Sequence, residues 1–258
     1  MATIRVVVTG AAGRMGREVV KAISTAPDME LVAAVDMKEA SDSGLLAGVP
    51  ANGIPVVTDL EGAIETGRPD VLVDFTIARA AQHNASVAID RGVRFVVGTS
   101  GLSADAVGEL VRKAEQAGVG GAIVPNFALG AVLMMRFARS AARYFPACEI
   151  IELHHDGKVD YPSGTAKATA HEVASGRGDI VGQGHAGRGV DIEGVTVHSV
   201  RLPGLVAHQE VIFGGPGQVL TIRHDSMGRD SFMPGVLLAV RKVVDLGSVA
   251  FGLDPLLD

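Results

Sequence analysis

Ile4 to Gly16 reads IRVVVTGAAGRMG, and the first half of the chain takes its fold from this stretch. Ile4 to Thr9 is a short β-branched run, the composition of a strand buried on both faces. Gly10, Ala11, Ala12, Gly13, Arg14, Met15 and Gly16 follow as GxxGxxG, one residue different from the commoner GxGxxG, and a helical pattern runs from Arg14 to about Ser24. Glycines placed this way permit a tight turn, close approach of the backbone to a pyrophosphate, and close packing of helix on strand. A second strand, Leu31 to Val35, ends in Asp36, where an acid meets the adenosine ribose in dinucleotide-binding folds. Strand, glycine turn, helix, strand and acid together predict a cofactor site at Gly10–Met15 and Asp36, rather than a purely structural βαβ unit.

Working outward, Asp42 to Ile54 is rich in Gly, Ser, Pro and Asn and reads as an irregular loop. Short apolar strands at Val56-Val57, Val71–Thr76, Arg94–Val97 and Gly121–Pro125 then alternate with helical segments at Leu60–Thr66, Ala78–Arg91 and Ser103–Ala117. Ser103 or Asp105 caps the last of these helices. Such alternation predicts a doubly wound parallel sheet, which binds ligands at the carboxyl ends of its strands. Phe75-Thr76, Gly98-Thr99-Ser100 and Pro125-Asn126-Phe127 fall at those ends. From residue type alone the last two turns read equally as ligand contacts or as ordinary loops.

The second half centres on Glu152 to Ala166, ELHHDGKVDYPSGTA. An alternating strand (Glu149–Leu153) delivers His154 and His155, Lys158 follows, and Ser163-Gly164-Thr165 opens a helix over Thr165–Ser175. Imidazole titrates near neutrality, lysine shifts readily when desolvated, and a helix start offers N–H groups to an anion. The combination suggests proton transfer to an acidic small molecule. The histidines also read as solvated or hydrogen-bonded struts, and residue type leaves both readings open. A shared metal is disfavoured, because neighbouring residues on a strand point to opposite faces.

Ala128–Tyr144 is an apolar helix whose Met and Ala stripe reads as core. Gly176–Asp191, with six glycines and Arg177, His185 and Arg188, reads as a mobile loop. Val195–Leu202 is a strand, His208–Phe213 and Gln218–His224 form a hairpin around Gly214–Gly217, and Ser231–Leu246 is a final helix. The expected architecture is α/β. A Rossmann-like dinucleotide domain spans residues 1–126, and an α+β domain with an open mixed sheet spans 127–230, serving substrate binding and oligomerisation. The segment 231–258 is expected to pack back on the first domain. Two crossings between domains suggest a hinge that closes over substrate and expels water.

With 258 residues, 47% of them hydrophobic, the chain has ample core for two modest domains. A formal charge of −6 leaves no basic surplus for nucleic acid, while small anions need only a local positive pocket. Cys148 is the sole cysteine and has no neighbouring base in sequence, so it reads as structural and fits a reducing compartment. Neither a basic-then-apolar leader at Met1 nor a membrane-length apolar run is present, so the expected location is the cytosol.

The pattern HHxxKxDxPSGTA at His154–Ala166 resembles the signature of the 4-hydroxy-tetrahydrodipicolinate reductase family, formerly dihydrodipicolinate reductase, of lysine and diaminopimelate biosynthesis. GAAGRMG, DFT, GTSG, PNF, LPGLVAHQEVIFGGPGQ and SF occur in the family's order, so the resemblance covers essentially the whole chain. It implies reduction of a small dicarboxylate with loss of water, hydride coming from C4 of NADH or NADPH. It further implies that Gly98, Thr99, Ser100, Val124, Pro125, Asn126 and Phe127 lie around the nicotinamide. By the same resemblance His154 gives or takes a proton, and Lys158 donates a proton and holds a carboxylate. His155, Gly164 and Thr165 bind carboxylate, with Ser163 helping through the helix cap, and the subunits form a homotetramer. Met37 departs from the family, many members of which carry a basic residue there, and this weakens the case for NADP. Arg14 and Lys38 remain as partners for a 2′-phosphate. Two alternatives stand beside this reading: another two-domain NAD(P) oxidoreductase acting on an imine or keto acid, and a non-catalytic NAD(P)-binding sensor with no need of the HHxxK segment.

Overall fold

The structure is a computed structural model and describes residues 3–177 and 188–257. Most of the glycine-rich stretch expected as a loop, residues 178–187, lies outside the described residues. The chain divides into two units, Met1–Phe127 with Phe232–Asp258, and Ala128–Ser231.

The first unit runs β1 (Ile4–Thr9), α1 (Arg14–Thr25), β2 (Met29–Val35), α2 (Ser43–Leu46), β3 (Val56–Val57) and α3 (Leu60–Gly67). It continues with β4 (Val71–Asp74), α4 (Ala78–Asp90), β5 (Arg94–Val97), α5 (Ala104–Ala117) and β6 (Gly121–Ile123). Val6, Val7 and Val8 are wholly buried because β1 pairs in parallel with β2 on one side and β4 on the other. That is the position a continuous β-branched run requires. Ser103, not Asp105, caps α5, its Oγ accepting the Ala106 N–H at 3.2 Å.

The second unit contains α6 (Leu129–Ala141), β7 (Ala147–His154), α7 (Gly164–Gly176), β8 (Val190–Ile192), β9 (Val195–Arg201), β10 (Ala207–Gly215) and β11 (Gln218–Ser226). Its sheet has the order β11-β10-β7-β9-β8, with β7 and β9 parallel and the other neighbours antiparallel. Helices α6 and α7 pack on one face. Period two then sorts the side chains of β7. Cys148 and Ile150 meet Val195, Val197, Val211 and Phe213 in an apolar core on the helix side. Farther along the same face, Glu152 and His154 lie level with Ser199 and Arg201 of β9. The face is apolar at one end and polar at the other.

The chain then returns to the first unit. A helix is expected over Ser231–Leu246; the structure has a 3-10 turn at Arg229–Phe232 and then α8 over Met233–Val243, with Pro234 in its first turn, where proline is tolerated. α8 packs on α1, and Arg241 grips Asp28 with two bonds of 2.7 and 2.9 Å. A strand not expected from the sequence, β12 (Val249–Phe251), adds in parallel to β6 and completes a seven-stranded sheet of order β12-β6-β5-β4-β1-β2-β3. The helix expected to reach Tyr144 ends at Ala141 and tightens into a turn closed by the Tyr144 N–H on the Ala141 carbonyl at 2.9 Å.

Candidate active site

The glycine turn after β1 has the shape of a phosphate cradle. Gly10 adopts φ 77°, and a Cβ there would lie 2.6 Å from the Phe75 carbonyl oxygen. A Cβ on Gly16 would lie 1.9 Å from the Gly10 carbonyl oxygen, so only glycine lets α1 approach the turn. Gly13 caps α1 with no side-chain bond, and its first turn holds no acid, leaving the helix start open to an anion. Asp36 accepts the N–H of Ala12 at 2.9 Å and of Lys38 at 3.1 Å, tying the turn to the end of β2. Two accepted bonds leave a carboxylate with further lone pairs for ribose hydroxyls. Met37 is 93% exposed, and Arg14 and Lys38 are exposed as well. These residues fit a dinucleotide.

Asp74 orders the neighbouring strand ends. Its fully buried carboxylate accepts from Thr9 Oγ1 (2.6 Å), Thr76 N (3.0 Å), Thr76 Oγ1 (2.8 Å), Asn84 Nδ2 (2.8 Å) and Thr99 Oγ1 (2.7 Å). A buried charge persists only when bonded in this way. The network joins β1, β4 and the Gly98–Ser100 turn. The rings of Phe75 and Phe127 pack 5.5 Å apart. Val124 is buried, Pro125 is exposed, and Asn126 is half-buried.

In the second unit, His154 closes β7 and its Nδ1 is hydrogen-bonded to Glu152 Oε2. Glu152 is fully buried, and Arg201 grips it with bonds of 3.0 and 2.7 Å. Burial pushes the Glu152 carboxyl up, but bonds from Arg201, Ser199 and His154 outweigh it and hold the group below its ordinary range. Glu152 is therefore an acceptor at neutral pH, so Nδ1 of His154 carries the proton and Nε2 is the nitrogen left to exchange one. Burial lowers the pKa of His154, the Glu152 carboxylate opposes that, and the charges of Lys158 and Arg201 add to the lowering.

A four-residue turn follows, closed by the Lys158 N–H on the His155 carbonyl at 3.2 Å. It leaves His155 exposed and brings Lys158 back toward the strand, its Nζ 2.7 Å from Asp160 Oδ1. Lys158 holds the Asp160 carboxyl below its usual range. Ser163 caps α7, its Oγ accepting the Ala166 N–H at 3.2 Å. The first turn of α7 contains no acid, so the positive end of the helix is not neutralised by its own side chains. A Cβ on Gly164 would meet nothing within 4 Å, so the glycine leaves open space beside its N–H.

Glu152, Arg201, Asp160 and Asp74 were not singled out from the sequence. A buried acid two residues before His154 on an alternating strand was the available signal for Glu152. Asp160 lies two residues from Lys158 in the same motif, whereas Arg201 and Asp74 depend on which strands pair. The Cys148 thiol is pushed up to about 12 by burial, which suits a structural residue. Among the described residues no group of three or more His, Cys, Asp or Glu is placed to hold a metal ion. No described helix is long and apolar enough to cross a membrane.

Two family models match the chain: dihydrodipicolinate reductase, N-terminus, over residues 4–127, and dihydrodipicolinate reductase, C-terminus, over residues 130–257. The chain belongs to the dihydrodipicolinate reductase family. Within this reductase family, the 4-hydroxy-tetrahydrodipicolinate reductase of Moorella thermoacetica is 52% identical over 265 residues, covering 100% of this chain and 99% of that protein. The enzyme of the same name from Halalkalibacterium halodurans is 48% identical over 267 residues, covering 99% and 100%. A solved dipicolinate-bound dihydrodipicolinate reductase from Paenisporosarcina sp. TG-14 superposes with a TM-score of 0.88 at 42% identity, covering 99% of this chain and 100% of that one. An amine dehydrogenase from Mycobacterium smegmatis, at 14% identity and a TM-score of 0.67, shares the fold alone.

Proposed function

We propose that this chain reduces 4-hydroxy-tetrahydrodipicolinate to tetrahydrodipicolinate with NADH or NADPH, in lysine and diaminopimelate biosynthesis. A hydride and a proton enter the substrate, and its hydroxyl leaves as water. The observation that carries the reading is the joint placement of His154, the Lys158 turn and the capped start of α7 beside one buried carboxylate, Glu152. Membership of the reductase family supports it and favours neither a sensor nor a different imine reductase.

When bound, the reduced nicotinamide supplies the hydride. Gly10–Met15 hold the pyrophosphate and Asp36 the ribose, while Gly98, Thr99, Ser100 and Val124–Phe127 surround the nicotinamide. In the other unit, the N–H groups of Gly164 and Thr165, with His155, hold a substrate carboxylate. Ser163 keeps that helix start in place. Lys158 binds the dicarboxylate as a cation and gives a proton to the developing enamine. His154, whose pKa is lowered, is mostly neutral near pH 7 and exchanges a proton through Nε2.

A homotetramer and a cytoplasmic location belong to the same reading. The face of the second sheet away from α6 and α7 carries Val219, 70% exposed, beside Thr221 and Ile212, and this suits packing against a sister sheet. Light scattering that returns a monomer mass at micromolar concentration would remove the tetramer.

The function is tested by coupling the protein to an upstream synthase supplied with pyruvate and aspartate semialdehyde, and following oxidation of each cofactor. Oxidation should require every component. Asp36 faces a 2′-phosphate unfavourably, by on the order of 1–3 kcal/mol, and Arg14 and Lys38 offset part of this. Both cofactors should therefore work, with NADH modestly favoured. An NADPH preference above about tenfold, roughly 1.4 kcal/mol, contradicts the reading of Asp36. No oxidation above a synthase-free control overturns the function.

A further inference from the structure

We propose that Glu152 and Arg201 are positioning residues, a single buried pair that fixes the tautomer of His154, holds the turn carrying Lys158 and anchors the cap of α7. The inference rests on the roles given to His154 and Lys158 above. Besides the bond from Ser199, both oxygens of Glu152 are shared between partners. Oε2 takes His154 Nδ1 and, at 3.0 Å, Arg201; Oε1 takes Arg201 at 2.7 Å and the backbone N–H of Ser163 at 3.4 Å. Of its remaining donors, Arg201 turns one to the Val200 carbonyl of its own strand at 2.7 Å and two to the loop, reaching the Asp160 carbonyl at 2.7 Å and the Lys158 carbonyl at 3.3 Å.

Three separate pieces of chain therefore converge on one ion pair: the end of β7, the 155–160 turn and the start of α7. Burial of the pair argues against a purely stabilising role. Desolvating two charges offsets most of their attraction, and buried pairs are often replaceable by apolar residues without loss of stability. What an apolar pair could not supply is an acceptor for Nδ1–H together with a fork that spans two carbonyls. The arrangement has the logic of a carboxylate that orients a catalytic imidazole. Here the same carboxylate also reaches the anion site.

The charged groups around His154 are Glu152 on its own strand, Lys158 on the turn and Arg201 on β9. Replacing Glu152 by Gln removes the charge that stabilises the imidazolium and leaves the Arg201 charge uncompensated. Both changes move the His154 titration to lower pH. An opposite charge at this range is worth about 1–3 pH units. Arg201→Lys keeps a cation on Glu152 but loses the fork, so it loosens the Lys158 turn with less effect on His154.

The first measurement needs no variant. The imidazole nitrogen shifts of His154 in the full-length protein should report the Nδ1–H tautomer above its titration. A dominant Nε2–H tautomer overturns the proposal, even should Glu152→Gln fail to fold. Folded Glu152→Gln should show a kcat at least about tenfold lower, an unchanged KM for NADH, and a His154 titration at least about one unit lower. Arg201→Lys should raise the KM for the dicarboxylate severalfold while moving the titration less. Wild-type kcat and an unmoved titration in Glu152→Gln overturn the proposal. A parallel His154→Gln variant separates the two levels: if it keeps full turnover, the catalytic reading of the site fails, whereas loss there with an unaffected Glu152→Gln removes only the positioning role.

Discussion

Lys158 is the residue on which the proposed chemistry depends most. Its side chain is 23% exposed, and its ammonium is paired with Asp160, which is half exposed. Lys158→Met keeps the length and apolar stem of the side chain, and water can solvate the Asp160 carboxylate left behind, so folding should be spared. Removing a positioned proton donor typically lowers turnover about 10²–10⁴-fold, and a loss in that range is expected. NADH affinity should change little, since Gly10–Met15 and Asp36 belong to the other unit. A folded variant with more than about half of wild-type turnover, far outside that general-acid range, would mark Lys158 as a solvated surface lysine. Its position was legible in the sequence because His154, His155 and Lys158 lie within one short motif. Glu152 and Arg201 were not legible as a pair. They stand 49 residues apart and meet only because β7 and β9 align in parallel, with Glu152 level with Ser199 and His154 level with Arg201.

At the scale of elements, α7 joins fold stability to substrate binding. Ser163 is 2% exposed and its Oγ satisfies the Ala166 N–H. Ser163→Ala should lower the unfolding free energy by about 1 kcal/mol, the usual worth of such a cap. Loosening Gly164 and Thr165 should also weaken binding of pyridine-2,6-dicarboxylate severalfold with NADH binding intact. Denaturant titration and calorimetry check the two halves, and wild-type values in both would show that the cap supports neither. The start of α7 could be read from Ser-Gly-Thr, as could the β10–β11 hairpin from Gly214–Gly217, because cap and turn chemistry is local. The alternation of β1, β4 and β5 with helices carried the parallel sheet. By contrast β8 and β12 have three residues each and, unlike the equally short β6, do not lie in a longer apolar run between two helical patterns. β12 exists because β6 offers it an edge, and the sequence Val249-Ala250-Phe251 alone does not encode that partner.

On the scale of the whole molecule, the residues expected to hold the dinucleotide and those expected to move protons belong to different units, and the chain passes between the units twice. The resemblance of motifs along the chain anticipated the family, while the return of α8 and β12 to the first sheet has its physical cause in packing on α1 and pairing with β6. The central claim is that hydride from the cofactor and a proton from the Lys158–His154 site enter the same dicarboxylate. The most direct test supplies enzymatically generated substrate and NADH carrying deuterium at its transferring position, then follows the label into the product by mass spectrometry. The account predicts NADH oxidised one for one with tetrahydrodipicolinate, one deuterium in each product molecule, and loss of that labelled product in Lys158→Met. Oxidation of NADH without deuterium in tetrahydrodipicolinate, or labelled product formed undiminished by Lys158→Met, would contradict it.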